Sequence, residues 1–181
     1  MILVILMTIV EYSLLVIIIV SLLIILYATM YNKFQISIIR INEAEANIDS
    51  TLRKRYDLLN KAIEIIKNNT DEVNILENIS NLRSQKLNNF ELDRELTLGV
   101  NTFYSYIDRY PNLKTNEQCM NISFGISETE SEIIAFRKYY NDIITDYNKM
   151  VKTFPSNIVS LLCKYKKKTY FDGKEMDDVK L

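Results

Sequence analysis

Hydrophobic residues dominate the first thirty positions of the chain and afterwards recur at helical intervals. Residues 12–31 form a run of twenty positions without a charged side chain, rich in Ile, Leu and Val. A helix with a rise of about 1.5 Å per residue carries such a run across about 30 Å, the hydrocarbon thickness of a bilayer. Tyr12, Tyr27 and Tyr31 lie near its ends, where amphipathic rings prefer the membrane interface. The pattern predicts a transmembrane signal-anchor helix over residues 1–31.

A cleaved signal peptide is the alternative interpretation of this segment. That kind of peptide has a basic N-terminal region, a shorter apolar core and a cleavage site of small residues. No Lys or Arg precedes the apolar run here, and no Ala-x-Ala motif lies within the ten residues after it, so an uncleaved single-pass anchor is favoured. Because Lys33 and Arg40 follow the run, the positive-inside rule predicts an external N-terminus and a cytoplasmic C-terminal domain.

Two amphipathic segments come next, with apolar residues in steps of three and four. The first extends from Phe34 to Ile66 and continues the membrane helix; it is expected to end at Asn69, because Asn suits helix C-termini. Thr70 is a candidate N-cap for the second segment, which is expected to reach about Asn88. The many Asn residues in this second segment lower its helix propensity, so we expect it to be the least stable helix.

Two further amphipathic segments complete the helical pattern. The third begins near Leu92 and is expected to stop at Pro111, because a proline cannot continue a helix. Thr115 and Gln118 have the spacing of a capping box that would open the fourth helix. The fourth carries a regular heptad seam, which consists of Ile122, Ile126, Thr129, Ile133, Phe136, Tyr140, Ile143, Tyr147, Met150 and Phe154.

These patterns predict an all-α protein: an N-terminal transmembrane helix followed by an up-and-down antiparallel four-helix bundle with long first and last helices, over residues 32–154. Pro155 is expected to end the last long helix, and Ser156 or Asn157 to cap a short one, in a basic and aromatic tail of residues 155–181. A single seam also suits a coiled coil between copies of the chain. The three other stripes favour an intramolecular bundle, with a homo-oligomer as the alternative.

Charge and composition exclude several functional classes. Only Glu11 is charged before Lys33, so the rest of the chain carries 22 acidic and 22 basic residues and no overall basic field for nucleic acid. The sequence contains no His, which removes the commonest general base and metal ligand and every Ser-His or Cys-His pair. Cys119 and Cys163 match no zinc or redox spacing. We therefore expect no catalytic residue, metal site or cofactor, and a protein that is not an enzyme.

One candidate contact site lies in the first helix of the bundle. Arg53, Lys54 and Arg55 form its densest cluster of charge. A solvated face, or pairing inside the bundle, is the plainer interpretation. Docking of an acidic protein partner is the functional alternative.

A second candidate site is the C-terminal tail, where lysines and aromatic residues are mixed. In an up-and-down bundle an even number of helices returns the chain to its starting end, which would bring the tail near the inner leaflet. There lysines gain from anionic lipids and aromatic rings enter the interface; a solvated tail is the alternative. The candidate membrane-surface residues are Lys164, Lys166, Lys167, Lys168, Tyr170 and Phe171.

Several short motifs occur in a fixed order along the chain. Tyr31-Asn32 is followed by I-D-x-x-L-R-K-R-Y-D-L at residues 48–58 and by Y-P-N-L-K-x-N-E at residues 110–117. The later motif positions are Glu128, Thr129, Glu130, Ile133, Ala135, Arg137, Tyr140, Asn141, Asp142, Tyr147, Asn148, Phe154, Pro155, Ser156, Asn157, Tyr170 and Phe171. Together these motifs resemble the LemA family of bacterial membrane proteins, over about residues 31–171.

The resemblance implies an N-terminal anchor and a four-helix domain of unsettled biochemical role at a bacterial cell membrane. Members are often encoded near membrane proteases, which suggests a part in envelope quality control. Glu45 stands where the family usually has Trp, and Asn60-Lys61 where it has Pro-Asn, so the first helix is expected to pack differently there.

The two Tyr-Asn pairs, at residues 140–141 and 147–148, place each Tyr on the seam. This predicts core packing, with the hydroxyl groups reaching the edge of the bundle. A peptide-binding groove at the same place is the alternative.

The sequence therefore favours a membrane-anchored, non-enzymatic helical protein that binds or organises other proteins at the inner face of a membrane. The lipid bilayer is its predicted first partner. Its protein partners are unknown, with a membrane protease as one candidate. The alternatives are a self-assembling coiled-coil membrane protein and an accessory subunit of a membrane hydrolase or protease.

Overall fold

The computed structural model describes residues 1–69, 77–82 and 85–173, and within these ranges the regular secondary structure is entirely helical. The helices are α1 (Ile2–Asn69), α2 (Glu77–Ser80), α3 (Asn89–Arg109), α4 (Pro111–Lys114), α5 (Glu117–Lys152) and α6 (Ser156–Leu162). The predicted all-α fold is confirmed. Its first and last long helices are α1, with 68 residues, and α5, with 36.

The chain divides into two compact units. The terminal unit comprises Met1–Arg40 and Thr145–Lys168, and the central unit comprises Ile41–Ile144 and Thr169–Leu181. The domain division at residues 31 and 154 stays a prediction.

The core of the central unit is built from the apolar stripes that the sequence predicts. Leu52 and Leu59 of α1, Leu96 and Phe103 of α3, and Ile133 of α5 have no exposed surface and belong to one hydrophobic cluster. Each buried side chain of this size stabilises the fold by about 1.5–3 kcal/mol relative to an exposed one. Burial of the apolar side chains that recur at helical period therefore holds these helices together.

The predicted second helix is shorter than expected in the described part of the chain. α2 is a single turn, and residues 85–88 are not helical, so the predicted continuation to Asn88 is wrong. Ile79 of α2 is buried as predicted, and Gly99 of α3 gives it room, because a Cβ atom at position 99 would stand 2.5 Å from its Cδ1. The predicted N-cap Thr70 lies outside the described residues.

Two helices begin at asparagines that cap them. The Asn88 side chain accepts a hydrogen bond from the Glu91 N–H at 2.9 Å, and the Glu91 carboxylate accepts one from the Asn88 N–H at 3.1 Å, a complete capping box for α3. At α5 the Asn116 side chain accepts from the Cys119 N–H at 3.1 Å. The predicted capping box at Thr115 is wrong, because Thr115 ends α4, a short helix that Pro111 opens.

α5 ends at Lys152, before the predicted end of its seam. Phe154 therefore leaves the helical period, and 78% of its surface is exposed, so its assignment to the seam is wrong. Ser156 is buried, and its hydroxyl donates to the backbone oxygens of Met150 at 2.7 Å and Thr153 at 2.9 Å. It satisfies carbonyl groups at the end of α5. The prediction that Ser156 caps the next helix is wrong.

α6 starts behind Pro155, which makes no side-chain cap, and ends in a tight reversal of the chain. The Tyr165 N–H donates to the Ser160 oxygen at 2.8 Å and the Lys164 N–H to the Leu161 oxygen at 3.3 Å. These two bonds form a Schellman motif, with Lys164 in the left-handed conformation at φ 57°.

Candidate functional site

Arg55 of α1 is buried in the central unit, although it belongs to a run of three basic residues. Its side chain has no exposed surface, because position 55 falls on the apolar stripe between Leu52 and Leu59. The Nη1 group donates to Asp93 Oδ1 at 3.3 Å, and the Nη2 group donates to the Glu130 carboxylate. The structure therefore selects pairing inside the bundle for this arginine.

Asp93 joins Arg55 to a second arginine. This carboxylate of α3 is 4% exposed, and its second oxygen pairs with Arg137 of α5. Thr129 accepts from Arg55 Nε at 3.4 Å and donates to the Ile126 oxygen at 2.7 Å. Two guanidinium and two carboxylate groups thus form a charge-balanced ionic cluster, which consists of Arg55, Asp93, Glu130 and Arg137.

Burial shapes the electrostatics of the ionic cluster. Desolvation lowers the pKa of Arg55, partly offset by the charge of Glu130. Desolvation also lowers the pKa of Arg137, with a further contribution from the charge of Arg55. Because an arginine loses its proton only far above neutral pH, both guanidinium groups stay protonated. The cluster thus holds two permanently charged guanidinium groups against two carboxylates.

Phe171 from the C-terminal tail covers one side of the ionic cluster. Its ring centroid lies 5.0 Å from the guanidinium carbon of Arg137, within cation–π distance. The ring packs edge-on against Phe90 at 5.9 Å and Tyr140 at 6.5 Å, and its backbone N–H donates to Asn141 Oδ1 at 2.9 Å. The structure thus places Phe171, a predicted membrane-surface residue, among the side chains of the bundle.

Tyr140 lies beside the same tail residue and reaches the edge of the central unit. Its hydroxyl donates to Glu45 Oε1 at 3.3 Å. Burial, together with the charge and hydrogen bond of Glu45, raises the pKa of Tyr140 to about 12. Both residues line a cleft of about 390 Å³, along with Asn88, Phe90 and Phe171.

In the terminal unit, Asn148 holds the backbone of the tail. Asn148 has no exposed surface. Its amide nitrogen donates to the Lys168 oxygen at 2.8 Å, and its amide oxygen accepts from the Lys168 N–H at 2.9 Å. The Asn of each Tyr-Asn pair therefore binds tail backbone, Asn148 at Lys168 and Asn141 at Phe171.

Aromatic residues of the terminal unit pack around Phe34 of α1. Its ring lies 5.8 Å from Tyr147, edge-on, and 4.8 Å from Tyr165. The Gln35 amide donates to the Tyr165 hydroxyl at 2.7 Å. Burial is the main cause that raises the pKa of both tyrosines. Tyr147 is thus a core residue, as its seam position predicts.

Arg53 and Lys54 lie at the surface of the central unit and are already paired. Arg53 Nε contacts Asp49 Oδ2 at 2.9 Å, and Lys54 Nζ lies 3.2 Å from Glu128 and 3.6 Å from Glu132. The hydrogen bond to Glu128 is the main cause that raises the pKa of Lys54. An acidic partner would have to displace these carboxylates, and partner docking here stays a prediction.

The apolar run of α1 is exposed along its length except at Met30, which is half-buried. Its most apolar window has a mean hydropathy of 2.9, and none of that window is buried. By length and composition α1 is able to cross a membrane. Of the tail lysines, Lys164, Lys166 and Lys167 are exposed, whereas Lys168 is half-buried beside Asn148.

Metal-ligating side chains are scattered in the described residues, where no group of three or more His, Cys, Asp or Glu is placed to hold a metal ion. Cys119 and Cys163 are both free thiols. Burial raises the pKa of the Cys119 thiol, which makes it a poor nucleophile.

Comparison with known proteins agrees with the motifs. The LemA family model matches residues 44–180. The chain belongs to the LemA family. It is 30% identical over 129 residues to Protein LemA of Metamycoplasma hominis, a match that covers 66% of this chain and 58% of that protein. This LemA chain therefore spans less than two thirds of the length of that relative.

The motif residues of this LemA chain, distant in sequence, take part in the ionic cluster and in holding the tail. Arg55, Glu130 and Arg137 enter the cluster, and Asn141 binds the tail. Sequence reasoning missed Asp93, because an acidic residue near the start of a helix is ordinary. The burial of Arg55 could have been predicted from its register, because Leu52 lies three residues before it and Leu59 four residues after it.

Proposed function

We propose that this LemA-family chain is a membrane-anchored, non-enzymatic helical module that organises other proteins at the inner face of a bacterial membrane. The observation that carries the proposal is the apolar run at residues 12–31, which belongs to one continuous helix and is left uncovered by the described chain. The core helix of a water-soluble protein is buried. An apolar surface of this length is stable only against hydrocarbon or another apolar surface.

The orientation of the anchor follows from charge. Lys33 and Arg40 flank the apolar run on its C-terminal side, which favours a cytoplasmic central unit. Glu11 on the other side contributes little to this rule.

The non-enzymatic character is supported by the chemistry of the central unit. The charges of its ionic cluster neutralise one another, and the arginines hold their protons at neutral pH. The sequence offers no His as a base, and the LemA family is not a known enzyme family. An anchor joined to a bundle in which the buried charges of the described residues, Arg55 and Asp93, are paired suits a role in binding.

The anchor is tested by extraction of membranes with alkaline carbonate. The full chain is expected to stay with the membrane, and a variant with Ile18→Lys and Leu22→Lys to be released, since each charge at mid-membrane costs about 2.5–3.5 kcal/mol. Leu98→Lys and Phe124→Lys, at exposed positions of the bundle, are the control and should leave extraction unchanged. Release of the wild-type chain would overturn the anchor.

The orientation and the binding role need separate readouts. Trypsin should cleave the central unit only in permeabilised spheroplasts; cleavage in intact ones would overturn the orientation.

A photo-crosslinking residue at Phe124, which is 76% exposed, should give a reproducible adduct with another protein, whereas the same group at buried Ile126 should not. Adducts only between copies of this chain would favour the self-assembling alternative.

A further inference from the structure

The short helix α6 turns its three largest apolar side chains outward and buries two serines and one valine. Ser156, Val159 and Ser160 are buried, and the Ser160 hydroxyl donates to the Val151 oxygen at 3.3 Å. A helix on the surface of a water-soluble domain has the opposite arrangement. The outward residues, here the α6 apolar face, are Ile158, Leu161 and Leu162 of α6 and Phe154 just before it, with exposed fractions of 50, 80, 65 and 78%.

The C-terminal end of α6 lies beside the part of α1 where the apolar run ends. Tyr27 Oη is 3.5 Å from Cys163 Sγ, and Gln35 is hydrogen-bonded to Tyr165. These two positions of α1 are about 12 Å apart along the helix axis, and between them the sequence changes from apolar to polar. When α1 crosses a bilayer, α6 therefore lies at the level of the lipid headgroups.

The charge of the terminal unit suits an anionic surface. Met1–Arg40 and Thr145–Lys168 contain eight basic and two acidic residues, a net charge of +6. The remaining sequence contains 14 basic and 21 acidic residues, a net charge of −7. The overall charge of −1 hides this division. A bilayer with anionic lipids attracts the terminal unit and repels the central one.

We propose that the α6 apolar face is embedded in the interfacial region of an anionic bilayer, with Lys164, Lys166 and Lys167 at the lipid phosphates. The terminal unit then contacts the membrane through α6 as well as through α1. This inference rests on the anchor of the proposed function. It replaces the sequence-based contact through Tyr170 and Phe171 with one through the residues of α6.

A bilayer fits the observations better than a protein surface does. The apolar face and the exposed lysines are adjacent in sequence, and this combination is typical of interfacial helices that lie on anionic membranes. Both belong to the unit that contains the candidate membrane span. Binding of a protein partner or of a second copy of the chain would explain neither why α6 lies at the end of the apolar run nor why the terminal unit carries an excess of positive charge.

The test uses the full chain in lipid vesicles with a single introduced tryptophan, since the sequence has none. Leu161→Trp is the probe in α6, Leu23→Trp the probe in the apolar run, and Phe124→Trp the control on the bundle; all three positions are exposed. Vesicles of phosphatidylcholine with phosphatidylglycerol carry bromine at a shallow or a deep position of the acyl chain. Circular dichroism checks that the variants keep their helix content.

Shallow bromine should quench Leu161→Trp, deep bromine should quench Leu23→Trp, and neither should quench Phe124→Trp. Adding Lys164→Gln, Lys166→Gln and Lys167→Gln to Leu161→Trp should weaken docking of α6 about 100-fold, or about fivefold per lysine, and so reduce the quenching.

The outcomes separate the two proposals. Quenching of Leu23→Trp without quenching of Leu161→Trp overturns the inference and leaves the anchor standing. The absence of quenching at both positions overturns the anchor itself. A blue-shifted but unquenched Leu161→Trp also overturns the inference, because a protein surface or a second copy then covers α6.

Discussion

Asn148 pairs with the backbone of Lys168 in both directions, donating to its carbonyl at 2.8 Å and accepting from its N–H at 2.9 Å. A neighbouring β-strand would satisfy the same two backbone groups in the same way. Because Asn148 is fully buried, its amide has no water to replace either bond. The tail is thus fixed at Lys168 by a side chain whose polar groups are satisfied there.

Replacing Asn148 with Ala should release this part of the tail. Two buried hydrogen bonds are lost, and the expected cost is about 2 kcal/mol of the free energy of unfolding. Trypsin should cleave the tail lysines faster in the variant, in detergent micelles. Asn101→Ala, at an exposed position of α3, should change neither quantity by a measurable amount, and equal cleavage rates for wild type and Asn148→Ala would contradict the prediction.

Arg55 and Arg53 should differ sharply although they are two residues apart. Arg55→Met takes one of its two arginine partners from buried Asp93 and breaks the pair with half-exposed Glu130, and we expect a loss of about 3 kcal/mol in the free energy of unfolding. Arg53→Met breaks only an exposed pair with Asp49 and should cost less than about 1 kcal/mol. Urea unfolding followed by circular dichroism measures both. Similar costs for the two variants would mean that the ionic cluster does not support the bundle.

Tyr140 should make the bundle sensitive to alkaline pH. Its pKa is raised to about 12 in the folded state, above its ordinary value of 10.0, so the folded state holds the phenol proton more tightly than the unfolded state does. The contribution of this proton to the free energy of unfolding is complete below about pH 10 and is lost as the pH rises toward about 12. The loss is about 1–2 kcal/mol after allowance for solvent screening.

Variants isolate this contribution. Tyr140→Phe should reduce the loss of stability between about pH 10 and about pH 12, measured by urea unfolding at each pH. Tyr139→Phe, at the exposed neighbouring position, should keep the wild-type slope. An unchanged slope in Tyr140→Phe would assign the alkaline sensitivity to other groups.

Lys164 should be replaceable by Gly with a gain in stability. It occupies the left-handed position that ends α6, with φ 57°, and this conformation costs a residue other than Gly about 1 kcal/mol. Lys164→Gly should therefore slow hydrogen exchange at the Tyr165 N–H, which closes the Schellman motif, in neutral detergent. Lys166→Gly, outside the motif, serves as the control, and faster exchange in Lys164→Gly would show that the lysine side chain stabilises the turn.

The period of apolar residues determined α1, α3 and α5 from the sequence, along with the uncharged run in α1 and the family motifs. Helical periodicity is a local property, so the residues that face the core can be found without knowing what covers them. Helix ends were harder: Asn116 and not Thr115 caps α5, because adjacent polar residues compete for the same backbone groups.

Tertiary structure alone decided which distant residues meet. Asp93 contacts Arg55 and Arg137 from a third helix, and Phe171 returns from the tail to cover Arg137. The outward turn of the α6 apolar face depends on how the chain reverses after α5. The sequence thus determined which segments are helical and which are apolar, since both properties follow from neighbours along one helix. The pairing of charges and the path of the tail depend instead on contacts between residues far apart in the chain.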